Sequence, residues 1–318
     1  MGSEVAGQLL RSGHEVVGAD NVNQSYDTRL KDYRLKRLVE KEGFKFVEAD
    51  ISDGSAVGKL LDRGPFDAIF NLAARAGVGY SLTNPFIYLK SNTLGTLNIL
   101  DQMGKREVPK LVLASTSSLY AGQKMPFLES LPVNTPISPY AASKKAAEVM
   151  AYSYHYLYDV DVSIVRFFTV YGPCGRPDMS IFRIIQWIEN ELPIQLLGTG
   201  EQSRDFTFIS DVAQATIPAA KHVGYEIFNV GGGNQPISIN WIIRYIEDRL
   251  GKKATVENLD YHPADMDATW ADISKAKTIL GWSPKVSIED GLDRTVAWHV
   301  ENADWLRNVN LQSDLGLG

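Results

Sequence analysis

The stretch Lys110-Leu111-Val112-Leu113-Ala114-Ser115-Thr116-Ser117-Ser118-Leu119-Tyr120 decides the fold. An apolar run of strand length, residues 110–115, closes on consecutive hydroxyls. Apolar residues without polar alternation predict a strand buried on both faces, which is the habit of parallel sheets. Working outward, residues 14–20, 44–50, 68–73 and 162–167 repeat the pattern, rich in Val, Ile and Phe and ending in small or polar residues. Helical patterns lie between them at 28–41, 55–62, 86–105 and 140–158. Strand and helix alternating in this way predict right-handed crossovers and a doubly wound α/β sheet of Rossmann type, with ligands bound beyond the carboxyl ends of the strands.

The rhythm loosens after residue 170. Glycine and proline become frequent, as in Tyr171-Gly172-Pro173 and Gly198-Thr199-Gly200, and a strand at 226–230 and a helix at 238–250 follow. The expected organisation is a nucleotide-binding domain over 1–170, a smaller and mainly substrate-binding C-terminal region over 171–306 interleaved with the sheet, and a polar tail over 307–318.

Composition narrows the class. The chain has 318 residues, is 44% hydrophobic and 22% charged, and carries a formal net charge of -6. A mildly acidic surface argues against nucleic acid and against anionic membranes as partners. The single cysteine, Cys174, excludes a disulfide within the chain and suits a reducing, cytoplasmic setting. No apolar run approaches the roughly 20 residues that span a bilayer. No His/Cys cluster suggests a metal.

The chemistry is concentrated in Ser138-Pro139-Tyr140-Ala141-Ala142-Ser143-Lys144. Ser138 suits a helix cap and Pro139 a first turn. Tyr140 and Lys144 then share a helical face. A phenol near pKa 10 is a poor base, and a neighbouring ammonium favours its phenolate. A strand ending in hydroxyls, followed by a helix that opens with Tyr-x-x-x-Lys, resembles the active site of the extended short-chain dehydrogenase/reductases, the NAD-dependent epimerase/dehydratase family. The resemblance runs from Gly2 to about Trp305. It implies that Thr116 holds the substrate hydroxyl, Tyr140 removes its proton, and Lys144 lowers the tyrosine pKa and bonds the nicotinamide ribose. Ser117 and Ser118 lie beside the substrate.

The same resemblance implies NAD as cofactor. Asp20, with Asn21 beside it, ends a strand where a carboxylate bonds the adenosine ribose and repels a 2'-phosphate. Asp50 and Ile51 match the adenine position. Leu72, Ala73 and Ala74 match the strand end that passes the pyrophosphate, Asn92 the supporting helix asparagine, and Ser115 and Phe167 further cofactor contacts. The family opens on a strand and a glycine-rich turn, whereas this sequence starts Met1-Gly2-Ser3-Glu4-Val5-Ala6, so Gly2 matches the last glycine of that turn. The expectation is that the sequence begins late relative to the family, without a central strand and most of its glycine motif. A chain of these 318 residues would then bind NAD weakly and be poorly stable.

Residues 167–179 and 76–85 are similar to segments of the UDP-glucuronate 4-epimerases. That likeness implies that Thr169 and Arg176 hold a sugar carboxylate, a task suited to the planar guanidinium. It also implies that Arg204 contacts the nucleotide diphosphate and that Asp265 lies in a loop over the nucleotide. Gly79 and Cys174 depart from that subgroup, which usually has arginine and tryptophan there. Ala121 and Ala264 replace its usual glycines. Ser117-Ser118 stand where 4,6-dehydratases commonly carry Asp-Glu. The reading is therefore 4-epimerisation of UDP-glucuronate. A neutral UDP-sugar 4-epimerase, a UDP-glucuronate decarboxylase and a non-catalytic nucleotide-binding relative remain as alternatives. The helices at 86–105 and 140–158 match a pair that forms a four-helix homodimer interface in the family.

Overall fold

The computed structural model describes residues 1–260 and 266–311. The chain order is α1 (Gly2–Arg11), β1 (Val16–Asp20), α2 (Arg29–Val39), β2 (Phe44–Glu48), α3 (Gly54–Leu61) and β3 (Ile69–Asn71). Then come α4 (Val78–Thr83), α5 (Pro85–Tyr88), a π-turn (Leu89–Leu94), α6 (Gly95–Gly104) and β4 (Lys110–Thr116). A 3-10 turn (Ser117–Tyr120) leads to α7 (Pro139–Tyr158), β5 (Asp161–Phe167), β6 (Thr169–Tyr171), α8 (Ser180–Glu189) and β7 (Ile194–Leu197). The remainder is β8 (Ser203–Arg204), β9 (Phe206–Phe208), α9 (Ile209–Thr216), a 3-10 turn (Pro218–Ala220), β10 (Tyr225–Val230), β11 (Ile237–Ser238), α10 (Ile239–Leu250), β12 (Val256–Leu259), a second π-turn (Ala276–Leu280), α11 (Ile288–Glu301) and α12 (Ala303–Leu306).

The strand that opened the reading is the centre of the sheet. Every residue of β4 is buried, and it pairs in parallel with β3 on one side and β5 on the other. β10 extends the sheet beyond β5, again in parallel. Alternation along the strands feeds two cores. Leu111, Leu113, Val162 and Ile164 meet α3, α6 and α7 on one face. Val112, Ala114, Val165 and Phe167 meet Val212 and Ala215 of α9 on the other. Each fully buried aliphatic side chain contributes about 1.5–3 kcal/mol, which is why the centres of these strands are largely apolar.

β1 and β2 form a separate parallel pair. Among the described residues no strand lies between β1 and β3. A third core, with Ile184, Ile185, Ile242, Ile246 and Leu292, joins α8, α10 and α11. β10, from the second half of the chain, thus takes its place in the main sheet.

The expected helix over 86–105 is broken: α5 runs into a π-turn and then α6. The cause is local. Asn92 is pulled out of register to bond both Arg75 N and Arg75 O, and the Thr96 hydroxyl donates to the Asn92 carbonyl. Single π-turns of this kind gather at functional sites. Helices α1, α4, α8, α9, α11 and α12 lie outside the helical patterns read from the sequence.

Candidate active site

A cavity of about 2430 Å³ follows the carboxyl ends of the strands and continues between the facing edges of β1 and β3. Its wall includes Gly2, Asp20, Asn21, Asp50, Ile51, Leu72, Ala73, Ala74, Ser115, Thr116, Ser117, Ser118, Tyr140, Lys144, Phe167, Thr169 and Arg176. Residues far apart in sequence thus share one surface because each ends a strand or opens the helix that follows.

Local structure fixes the central group. Thr116 is the last residue of β4, and its Oγ1 accepts the Ser118 amide at 3.1 Å, capping the 3-10 turn. Ser138 caps α7 by accepting the Ala141 amide at 3.2 Å, with Pro139 in the first turn. Tyr140 and Lys144 then face the cavity from the first two turns of α7. Between them, Ser143 donates to the Tyr140 carbonyl at 2.7 Å and accepts from Asn92 Nδ2 at 2.9 Å, while Thr93 Oγ1 donates to the Ser143 carbonyl at 3.0 Å. The π-turn therefore holds the helix at the step between the two cavity-facing residues. Asn92 itself is buried and is not part of the cavity wall. The Tyr88 ring stands edge-on to Tyr140, with centroids 6.0 Å apart.

The electrostatics differ from the simple Tyr–Lys expectation. Burial pushes the Tyr140 phenol up, against the pull of the Thr116 hydroxyl and the charge of Arg176. The same burial draws the Lys144 ammonium down to about 8, with the Glu148 carboxylate pulling it back up. Arg176 is thus a cation that favours the phenolate here, beside the Lys144 that the sequence pointed to.

The residues present fit a dinucleotide. Asp20 ends β1 with a largely exposed carboxylate whose Oδ1 accepts the Val22 amide at 2.7 Å and the Lys31 ammonium at 3.3 Å. Asn21 Nδ2 donates to Asp50 Oδ2 at 3.1 Å, tying the two strand ends together. The N-terminus of α1 opens on the cavity, and a Cβ built on Gly2 meets nothing within 4 Å. The first amides of a helix lack intrahelical acceptors and suit a pyrophosphate.

One sequence-derived residue lies elsewhere. Arg204, on β8, reaches the carbonyls of Ser203 and Asp267 and is not in the cavity wall. Asp265 lies outside the described residues. Other residues at the site carry no motif in the sequence. Arg34, on α2, clamps the carbonyls of Cys174 and Gly175 at 2.8–3.0 Å and so fixes the loop that presents Arg176. Glu148 follows Lys144 at helical spacing, a signal the sequence did offer. Asp178 grips Arg176 from two residues away. Cys174 is buried, its thiol pushed up by burial.

Known proteins share this sequence and fold. Residues 1–295 match the family described as GDP-mannose 4,6 dehydratase. The chain is 53% identical over 311 residues to a UDP-glucuronate 4-epimerase of Thermodesulfobacterium geofontis (strain OPF15), covering 98% of this chain and 96% of that one. It is 38% identical to a probable UDP-glucuronate 4-epimerase of Rhizobium meliloti (strain 1021), covering 95% and 94%. The crystal structure of a UDP-glucuronic acid 4-epimerase from Bacillus cereus, in complex with UDP-glucuronic acid and NAD, superposes with a TM-score of 0.89. That pair shares 34% identity over 95% of this chain and 96% of the other.

Proposed function

This chain belongs to the GDP-mannose 4,6 dehydratase family, and on that footing we propose that it is an NAD-dependent 4-epimerase of UDP-glucuronate. The observation that carries the reading is the convergence of Thr116, Tyr140, Lys144 and Arg176 on one cavity wall.

NAD, when bound, supplies the hydride acceptor and donor for C4 of the sugar. Asp20, Asn21, Asp50 and Ile51 would hold its adenosine end, Gly2 and Leu72–Ala74 its pyrophosphate, and Ser115, Phe167 and Lys144 its nicotinamide end. Thr116 orients the C4 hydroxyl toward Tyr140. Tyr140 takes the hydroxyl proton as the 4-keto sugar forms and returns one as the inverted alcohol forms. A phenol raised by burial needs positive charge nearby to act as a base, and Lys144 and Arg176 both answer that need. Thr169 and Arg176 receive the sugar carboxylate, as a guanidinium does well.

Ser117 and Ser118 stand where a dehydratase would place an acid and a base, which supports epimerisation over loss of water. Arg204 is proposed for the diphosphate only as a side chain that turns from its present carbonyl partners. Residues 1–170 form the proposed cofactor region and 171–306 the substrate region.

A homodimer is proposed on an apolar surface shared by α5, the π-turn and α7. Phe86, Leu89, Val149, Tyr152 and Tyr156 are exposed there, and exposed aromatics gathered on one face mark association surfaces. No helix among the described residues is long and apolar enough to cross a membrane. A reducing cytoplasm is the proposed setting.

The test is turnover of UDP-glucuronate with NAD, with products separated by chromatography. UDP-galacturonate is expected. UDP-xylose as the main product would replace epimerisation by decarboxylation.

A further inference from the structure

We propose that Asp178 is a specificity-determining residue that stands in for the substrate carboxylate at Arg176. The inference rests on the reading of Arg176 as the carboxylate site and says how that site is tuned.

The guanidinium is already engaged. Arg176 Nε donates to Asp178 Oδ1 at 3.0 Å and Nη2 donates to Asp178 Oδ2, a two-point grip on one edge of the fork. Nη2 also reaches the Ala76 carbonyl at 3.4 Å. Nη1 makes no hydrogen bond to a described residue, so the Nη1 edge is the one left to a ligand. Both side chains are largely shielded, at 28% and 14% exposure. The pair sits within electrostatic reach of Tyr140, at the reacting end of the cavity.

Physical chemistry accounts for both sides of this arrangement. An unpaired guanidinium in so sheltered a wall would lose hydration without compensation, and Asp178 removes that penalty before substrate arrives. The two-point bond also fixes the guanidinium plane, so its free edge is aimed in advance. The consequence falls on the ligand. A uronate carboxylate meets a neutral ion pair rather than a free cation, and it enters beside a second negative charge in a region of reduced dielectric. A neutral hexose brings no charge and does not feel Asp178. Asp178 therefore narrows the margin between acidic and neutral sugars and keeps the acidic one from being held too tightly.

The test is Asp178→Asn in the NAD-loaded enzyme, with Kd for UDP-glucuronate and for UDP-glucose measured by calorimetry. Asparagine keeps an oxygen for Arg176 Nε and removes the charge. UDP-glucuronate should bind about 3- to 10-fold tighter, with UDP-glucose changed less than about 2-fold. An unchanged or weakened UDP-glucuronate affinity, or equal tightening of both ligands, overturns the proposal. Asp178→Ser provides the same comparison should the asparagine variant fold poorly. Arg176→Gln separates the two layers. If it weakens UDP-glucuronate by tenfold or more and spares UDP-glucose, the carboxylate site stands whatever Asp178 does. If it affects neither, the carboxylate reading of Arg176 fails and the proposal falls with it.

Discussion

Glu148 and Arg166 form a two-point ion pair beneath the active site, with Nε to Oε1 at 2.9 Å and Nη2 to Oε2 at 2.8 Å. Both side chains are 1% exposed. Glu148 also accepts the Ser115 hydroxyl at 2.6 Å, and Arg166 Nη1 donates to the Tyr120 hydroxyl at 2.8 Å. The pair thus joins α7, which carries Tyr140 and Lys144, to the ends of β4 and β5. It sets the distance between the helix and the strand that presents Thr116.

Breaking such a pair from one side strands a buried charge. Glu148→Ala should cost about 3–5 kcal/mol and lower the melting temperature markedly. Combining it with Arg166→Met should recover much of the loss, because two apolar groups replace two charges. Calorimetric melts of the two single variants and the double variant check this. A double variant as unstable as the sum of its parts would contradict it.

Lys144 is held at a cost. Its folded pKa of about 8 lies below the ordinary lysine value, so below pH 8 the folded state carries a buried charge that the unfolded state solvates. A tenfold loss of proton affinity corresponds to about 1.4 kcal/mol, which puts the full penalty at roughly 3 kcal/mol. The sign follows from proton counts: between the folded and unfolded values the unfolded chain binds more protons, so this group favours folding increasingly as pH rises. Lys144→Met should therefore abolish turnover yet melt several degrees higher at pH 7, the gain fading above pH 8 and vanishing near the ordinary lysine value of 10.5. Thermal melts across that range would refute the account by showing a gain that does not depend on pH.

Tyr140→Phe removes one oxygen and leaves the ring against Tyr88. Turnover should fall by about 10³-fold or more, within the range of lost acid–base catalysis, with the melting temperature little changed. Steady-state rates and a melt on the same preparation settle the matter. Retained turnover would remove Tyr140 from the chemistry.

The apolar face of α5 and α7 gives a prediction about assembly. Phe86 is 80% exposed and Tyr156 is 77% exposed. Replacing both by glutamate should convert a dimer to a monomer in sedimentation velocity without loss of secondary structure. A wild-type chain that already sediments as a monomer would rule out this interface.

What the sequence disclosed, it disclosed through local pattern. The buried strands were legible from their largely apolar centres, and the end of β1 at Asp20 followed from where its run stopped, whereas β2 ends at Glu48, two residues before Asp50, and β4 runs on to Thr116, one residue past the apolar run. The Ser138 cap and the Tyr140–Lys144 spacing were legible as local pattern as well. The π-turn was not, since Asn92 leaves helical register only to satisfy the Arg75 backbone, 17 residues earlier. Nor was the clamp of Arg34 on the Cys174 carbonyl, across 140 residues, nor the pairing of Arg166 with Glu148 from another element. Arg176 was identified by its motif, but its engagement by Asp178 emerged only with the side chains in place. Arg204 carried a family position in the sequence and lies off the cavity wall in the fold.

The central claim is that Tyr140 and its neighbours invert C4 through a 4-keto sugar held in one cavity. UDP-glucuronate carrying deuterium at C4, turned over with NAD in ordinary water, tests it most directly by mass spectrometry and proton NMR of the product. The account predicts UDP-galacturonate with the deuterium retained at C4. Loss of the label to water, or a product one carbon shorter, would contradict it.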